Sequence, residues 1–180
     1  WFGLLAYGNV MDPPSFQVHP RVVPFLTKDR MSWIDDEIRA IGHQQMEDWN
    51  DKAAQVAWYD YLYGVMYNVP RVYPHLMAEL YQYADDMNVY GHNAEMYQNV
   101  GEGPKVWISA RLQWNPDQDV DALLQEWYER AVGPEAAADL AAYYAIWEHF
   151  WTERVQESSW FQSGKGETYL EFINSSYLDL

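Results

Sequence analysis

Residues 74–95 read PHLMAELYQYADDMNVYGHNAE, and this stretch decides the fold class. Pro74 has the fixed φ that suits the first position of a helix. Leu76, Met77, Leu80, Tyr83, Ala84 and Met87 then recur at spacings of three and four, which places one apolar face along that helix. Asp85-Asp86-Met87-Asn88 ends the pattern, and Val89–Glu95 follows as a short run that predicts a strand. The same criteria upstream give strands at Leu4–Asn9, Val22–Thr27 and Val56–Tyr61, with a helix over residues 32–51 and Ser32 as its N-cap. Strands that alternate with helices predict βαβ units and a parallel α/β sheet. Such a sheet needs both faces covered, and four strands make either an incomplete barrel or a small open sheet.

Only helices are expected further on. Pro104 opens one that carries Val106, Trp107, Ala110 and Leu112. Asp119 can cap the next, whose apolar face is Val120, Leu123, Leu124, Trp127 and Ala131. Gly133 ends it and Pro134 starts the last, which runs to about Glu157 with the stripe Leu140, Tyr144, Trp147 and Trp151. At that spacing the stripe reads as core. In the tail, Tyr169, Leu170, Phe172, Tyr177 and Leu178 are expected to dock residues 158–180 onto the rest.

Composition excludes several functions. The chain of 180 residues carries a net charge of −16, which is unsuited to nucleic acid or an anionic membrane surface. It has no cysteine, so disulfides, thiolate metal sites and cysteine nucleophiles are absent. None of its five histidines stands in a His-x-His or His-Glu-x-x-His pattern, and no metal is expected. Gly101-Glu-Gly103 lacks the Lys-Ser/Thr of a phosphate loop, and no cofactor is expected. No apolar run is long enough for membrane insertion. Aromatic residues make up 17% of the chain, and rings with polar tips suit sugars and other polar organic ligands. There is no initiator Met and no basic region ahead of an apolar stretch, as an intact signal peptide would have, and residues 1–6 (WFGLLA) look like the middle of a strand, so the sequence reads as a fragment or processed part of a longer protein.

In parallel α/β folds, ligand groups collect at the C-terminal strand ends. That rule selects Tyr7 and Asn9, then Trp58, Tyr59, Asp60 and Tyr61, then His92, Asn93, Glu95 and Tyr97. Asp60 and Glu95 are the informative acids, because a carboxylate among aromatic strand ends is costly to bury without partners. Either can serve a ligand or simply be ion-paired, as Glu95 would be with Arg71 or Lys105. Paired carboxylates serve glycoside hydrolysis, and single ones bind sugar hydroxyls. Glu95 is the best catalytic candidate; the substrate-binding set is Asp60, Glu95, Trp58, Tyr59, Tyr61, Asn93, Tyr97 and Tyr7.

Several blocks in order resemble a known bacterial family. They are Trp58-Tyr-Asp60-Tyr61, Pro70-Arg71 with Pro74-His75-Leu76, Ala94-Glu95-Met-Tyr97-Gln-Asn99-Val-Gly101, and Gly103-Pro104-Lys105. Ala110-Arg111-Leu-Gln-Trp114-Asn-Pro116-Asp117-Gln-Asp119-Val-Asp121-Ala-Leu123-Leu124 and Gly133-Pro134 complete the set. Together they resemble the C-terminal half of the catalytic barrel in glycoside hydrolase family 163, once a domain of unknown function. The resemblance implies that residues 1–115 are the last four units of a (β/α)8 TIM-type barrel and that 116–180 form a helical region packed on it. It implies cleavage of N-acetylglucosamine-containing glycans, of the endo-β-N-acetylglucosaminidase type, by a secreted, periplasmic or cell-surface protein. The partners implied are an oligosaccharide or glycoprotein glycan and the rest of the barrel upstream of Trp1, where the catalytic acid would lie. Asp60 and Glu95 then match acids that grip sugar hydroxyls, and Tyr59, Tyr61 and Tyr97 are candidates to orient an N-acetyl group. The alternatives are a non-catalytic glycan-binding or scaffold protein, or a glycosidase of the α-glucuronidase type, which shares the Arg-Leu-x-Trp-Asn-Pro-Asp pattern.

Overall fold

The computed structural model describes residues 1–62, 70–96 and 100–157. The expectations for Tyr97 and for the docking of the tail lie outside the described residues. The chain divides into two compact units. One comprises Trp1–Leu62 and Tyr83–Met96; the other, where described, holds residues 70–82 and 100–157.

The first unit is built on four strands, β1 (Phe2–Ala6), β2 (Val22–Thr27), β3 (Val56–Tyr61) and β4 (Val89–Glu95). They form one sheet in the order β1-β2-β3-β4, and every neighbouring pair is parallel. Helix α1 (Asp36–Lys52) lies between β2 and β3 in sequence, and α2 (Pro74–Asp86) lies between β3 and β4. The chain is therefore α/β, with a parallel sheet as the alternation of elements predicts. Register aligns Leu26, Trp58 and His92 in one row and Thr27, Tyr59 and Asn93 in the next.

α1 and the last turn of α2 pack on the same face of this sheet. Trp58 donates its indole N–H to the Met46 sulfur of α1 at 3.1 Å. The Tyr83 ring of α2 stacks on Trp58 at 6.4 Å and on His43 of α1 at 4.0 Å. Trp33 meets Trp58 and Tyr83 edge-on, both at 5.8 Å. The approach of Trp33 to α1 requires Gly42, where a Cβ would fall 2.4 Å from the indole ring. Trp49 donates to the Met11 carbonyl at 2.7 Å and so ties the β1–β2 connection to α1. Trp33, Met46, Trp49, Val56 and Trp58 are fully buried in this layer. The opposite face is open: Leu5 is 51% exposed, Asn93 is exposed, and Phe25, Tyr59 and Tyr61 are half-buried. The expected cover on both faces is thus found on one face only within this unit.

β2, β3 and β4 span the residues predicted for them. β1 ends three residues before the predicted Asn9, because Gly8 turns into the left-handed region (φ +57°) and starts a 3₁₀ turn, Gly8–Val10. α1 is capped by Asp35 and not by Ser32. The Asp35 carboxylate accepts the N–H groups of Glu37 and Ile38, each at 3.0 Å. Ser32 sits in a preceding 3₁₀ turn, Arg30–Ile34, and donates its hydroxyl to the Asp29 carbonyl at 2.6 Å.

The second unit contains the first turns of α2 together with α3 (Lys105–Trp114), α4 (Val120–Val132) and α5 (Ala137–His149). Asp119 caps α4 by accepting from the Ala122 N–H at 3.1 Å, and Gly133 ends it at φ +83°, both as predicted. Pro134 lies in a turn, so α5 starts at Ala137 and not at Pro134. A π turn at Phe150–Arg154 and a 3₁₀ turn at Val155–Glu157 extend the helical path to the predicted end. Tyr144 and Trp151 of the aromatic stripe are buried, and the Tyr144 ring stacks on Tyr128 at 6.1 Å. Lys105 is buried in an ion pair with Glu102. His75 joins three helices: its ring nitrogens meet Glu148 at 2.9 Å and Asp121 at 3.1 Å. These two carboxylates raise the imidazole to a pKa of about 9 against an opposing effect of burial, so it is cationic at neutral pH.

Candidate functional site

Successive side chains of a strand point to opposite faces of its sheet. At the C-terminal end of β3 this rule separates two clusters. Trp58 and Asp60 point to the helix-covered face, and Tyr59 and Tyr61 to the open face. Register carries the separation into β4, where His92 lies beside Trp58, Asn93 beside Tyr59, and Glu95 beside Tyr61.

The helix-covered cluster is closed and charged. Asp60 is 4% exposed. Its Oδ1 accepts the backbone N–H of Tyr61 at 2.7 Å and of Arg30 at 3.1 Å. Its Oδ2 faces the Arg30 guanidinium at 3.5 Å and the His92 Nε2 at 3.9 Å. Burial pushes the Asp60 carboxyl up, but the His92 imidazole, the Arg30 guanidinium and the Arg30 N–H together bring it down to about 2. Arg30 is itself buried, with its guanidinium carbon 3.9 Å from the centre of the Trp58 ring. It donates to the carbonyls of Leu26 at 2.8 Å, Tyr59 at 3.2 Å and Lys28 at 3.4 Å. One cation thus holds the carboxyl ends of β2 and β3 together. Beside it lies a cavity of about 10 Å³, bordered by Leu26, Thr27, Trp33 and Gly42, which is room for about one water molecule.

The open-face cluster is accessible. Tyr59 donates its hydroxyl to Glu95 Oε1 at 2.8 Å. The bond to Glu95, with lesser help from burial, raises the Tyr59 phenol above its ordinary value, so the hydroxyl remains a donor at neutral pH. The Tyr59 and Tyr61 rings meet edge-on at 5.8 Å. Among the described residues, no hydrogen-bond donor meets the second oxygen of Glu95 or binds the Asn93 amide. A carboxylate fixed by one oxygen presents the other to ligand hydroxyls or N–H groups, with two aromatic rings alongside.

The two acids therefore do not face one pocket. Asp60 is committed to backbone and cations on one side of the sheet, and Glu95 is available on the other. Trp58 lies beneath Arg30 on Asp60's side. Tyr7 stands exposed beyond β1, and no hydrogen bond or ring contact among the described residues joins it to Glu95 or Tyr59. Among the described residues, no three His, Asp or Glu side chains come together to hold a metal ion.

A family model described as "Domain of unknown function (DUF4838)" matches residues 1–145. The chain belongs to this family. No curated protein and no solved structure matches it. In this DUF4838 chain, the matched residues include all four strands and both clusters at their carboxyl ends.

Arg30 is the residue that sequence reasoning missed. The strand-end residues selected above belong to β1, β3 and β4, whereas the charged run Lys28-Asp29-Arg30 directly follows β2. The same rule points to that run. Of the ion-pair partners expected for Glu95, Lys105 pairs with Glu102, and the Glu95 carboxylate instead accepts from the Tyr59 hydroxyl.

Proposed function

We propose that this DUF4838 chain is part of a glycoside hydrolase of the family 163 type, and that the open face of its sheet supplies substrate-binding residues. The single observation behind this reading is the Tyr59–Glu95 pair, an accessible carboxylate held by a phenol at the carboxyl ends of parallel strands. Asn93 and Tyr61 extend the surface, so that hydroxyl, amide and ring contacts are available together. This combination suits an oligosaccharide or glycoprotein glycan containing N-acetylglucosamine.

The sheet also supports the barrel part of the proposal. Four parallel strands in sequence order, with α1 and the last turn of α2 on one face, match the arrangement around a (β/α)8 barrel. The open face would then line the barrel interior. The remaining strands, including the catalytic acid, would come from residues outside this chain. Secretion, or placement in the periplasm or on a bacterial surface, follows from the proposed substrate.

A second reading is favoured by one observation. Glycoside hydrolysis uses two carboxyl groups facing one bond, and the carboxylates of Asp60 and Glu95 are on opposite faces. A glycan-binding protein without catalysis needs only Glu95 and the rings. The test uses a protein containing the whole barrel. Glu95→Gln is expected to weaken binding of an N-acetylglucosamine-containing glycan by more than about tenfold, the effect of one lost charged hydrogen bond of about 1.5–3 kcal/mol. Glycan release by the parent protein supports the hydrolase, and binding without release supports the binder. Unchanged affinity in the variant overturns both.

A further inference from the structure

We infer that Arg30 and Asp60 are positioning residues, which hold Tyr59 against Glu95 from the opposite side of the sheet. The inference deepens the proposed glycan site and rests on that reading for its biological meaning, but its geometry stands separately. The peptide groups on either side of residue 60 are both held. The Tyr59 carbonyl accepts from the Arg30 guanidinium at 3.2 Å and from the Lys28 N–H at 3.0 Å. The Tyr61 N–H donates to Asp60 Oδ1 at 2.7 Å, and the Arg30 N–H meets the same oxygen at 3.1 Å. β3 therefore has its backbone locked where it presents Tyr59 and Tyr61 to the open face.

The lock is buried, with Arg30 1% and Asp60 4% exposed. Arg30 bridges the carbonyl ends of β2 and β3 while its face lies on Trp58. A lysine keeps the positive charge but lacks the planar fork that reaches separate acceptors at once. Asn at position 60 keeps the acceptor for the two N–H groups but loses the charge toward Arg30 and His92. Arg30→Lys keeps the positive charge, so an effect of that variant on Tyr59 reports the loss of the backbone hold and not a change of net charge.

The experiment labels the chain with ¹³Cζ-tyrosine and identifies the Tyr59 signal by its loss in Tyr59→Phe. In Arg30→Lys and Asp60→Asn, the Tyr59 signal is expected to shift and its ionisation to fall toward the ordinary tyrosine value of about 10. Folded variants in which Tyr59 keeps the parent shift and titration overturn the inference. A second measurement needs no variant: in the parent chain, the amides of Arg30 and Tyr61 are expected to exchange at least about tenfold more slowly than unprotected amides. Rapid exchange at either amide overturns the inference even if both variants fail to fold. A shift of Tyr59 in a protein that binds no glycan leaves the positioning role intact and removes the sugar reading.

Discussion

The two faces of β3 differ more from each other than β3 differs from its neighbouring strands. On the helix-covered face, Trp58 and Asp60 have every polar atom matched by α1, Arg30 or backbone. On the open face, one residue further along in each case, Tyr59 and Tyr61 lie half-buried beside a carboxylate with an oxygen to spare. The difference teaches that the acids of one sheet edge cannot be pooled into one site. Burial with a full set of partners marks Asp60 as part of the framework, and partial exposure with one partner marks Glu95 as available to a ligand.

The comparison can be broken most directly at Asp60. Asp60→Ala leaves the buried Arg30 without its carboxylate, and removing one member of a buried ion pair costs about 3–5 kcal/mol. Denaturant unfolding of the chain should show a loss of that size; a loss below about 1 kcal/mol would place Asp60 on the wrong side of the comparison. Acid provides the next largest effect. The Asp60 carboxyl falls from 3.8 to about 2 in the folded protein, so its contribution is complete above the unfolded value and disappears as pH falls through the folded one. A difference of that size corresponds to about 2–3 kcal/mol. Stability measured from pH 5 to pH 2 should drop by this amount more in the parent than in Asp60→Asn.

Gly42 tests how tightly the covered face is packed. Gly42→Ala drives a Cβ into the Trp33 ring, and overpacking of this kind costs about 1–3 kcal/mol. A neutral result in thermal unfolding would mean that Trp33 has room to move. The smallest effect belongs to the open face. Tyr59→Phe removes one half-buried hydrogen bond and should change stability by less than about 1 kcal/mol, although on the proposed function it should weaken glycan binding by freeing Glu95 to move. A large loss of stability would make Tyr59 part of the framework and erase the distinction between the faces.

Much of this frame is legible in the sequence. Val22–Thr27 and Val56–Tyr61 are β-branched or aromatic runs set between breakers, and Val89–Glu95 follows a helix stop, so the strands fall where local chemistry places them. Asp119 and Gly133 likewise act within a single turn. The first strand is harder, because its apolar run continues on both sides and only the backbone of Gly8 decides where it ends. Asp35 outcompetes Ser32 as a cap because residues 30–34 are taken up by a 3₁₀ turn, which no helical period reveals. The face of each acid is a different problem. Alternation separates Asp60 from Tyr59 within β3, but the row that Glu95 joins depends on register with β4, and register is a property of two strands. Arg30 is hidden for the same reason: its partners come from the ends of β2 and β3, and they converge only when both strands are in place.

That dependence on two strands also bears on how the protein reaches its native state. Phe2 must find Val22, Phe25 must find Ala57, and Val56 must find Val89, each across an entire connection. Parallel pairing of this kind makes the search slow, since chain closure precedes any gain from contact. The guanidinium of Arg30 can bridge Leu26 and Tyr59 only once β2 and β3 have paired. An interaction absent from the barrier-top ensemble does little for the rate of folding and chiefly lengthens the lifetime of the folded form. The cation at the carboxyl edge of the sheet is, in kinetic terms, a latch that can close only after β2 and β3 have met.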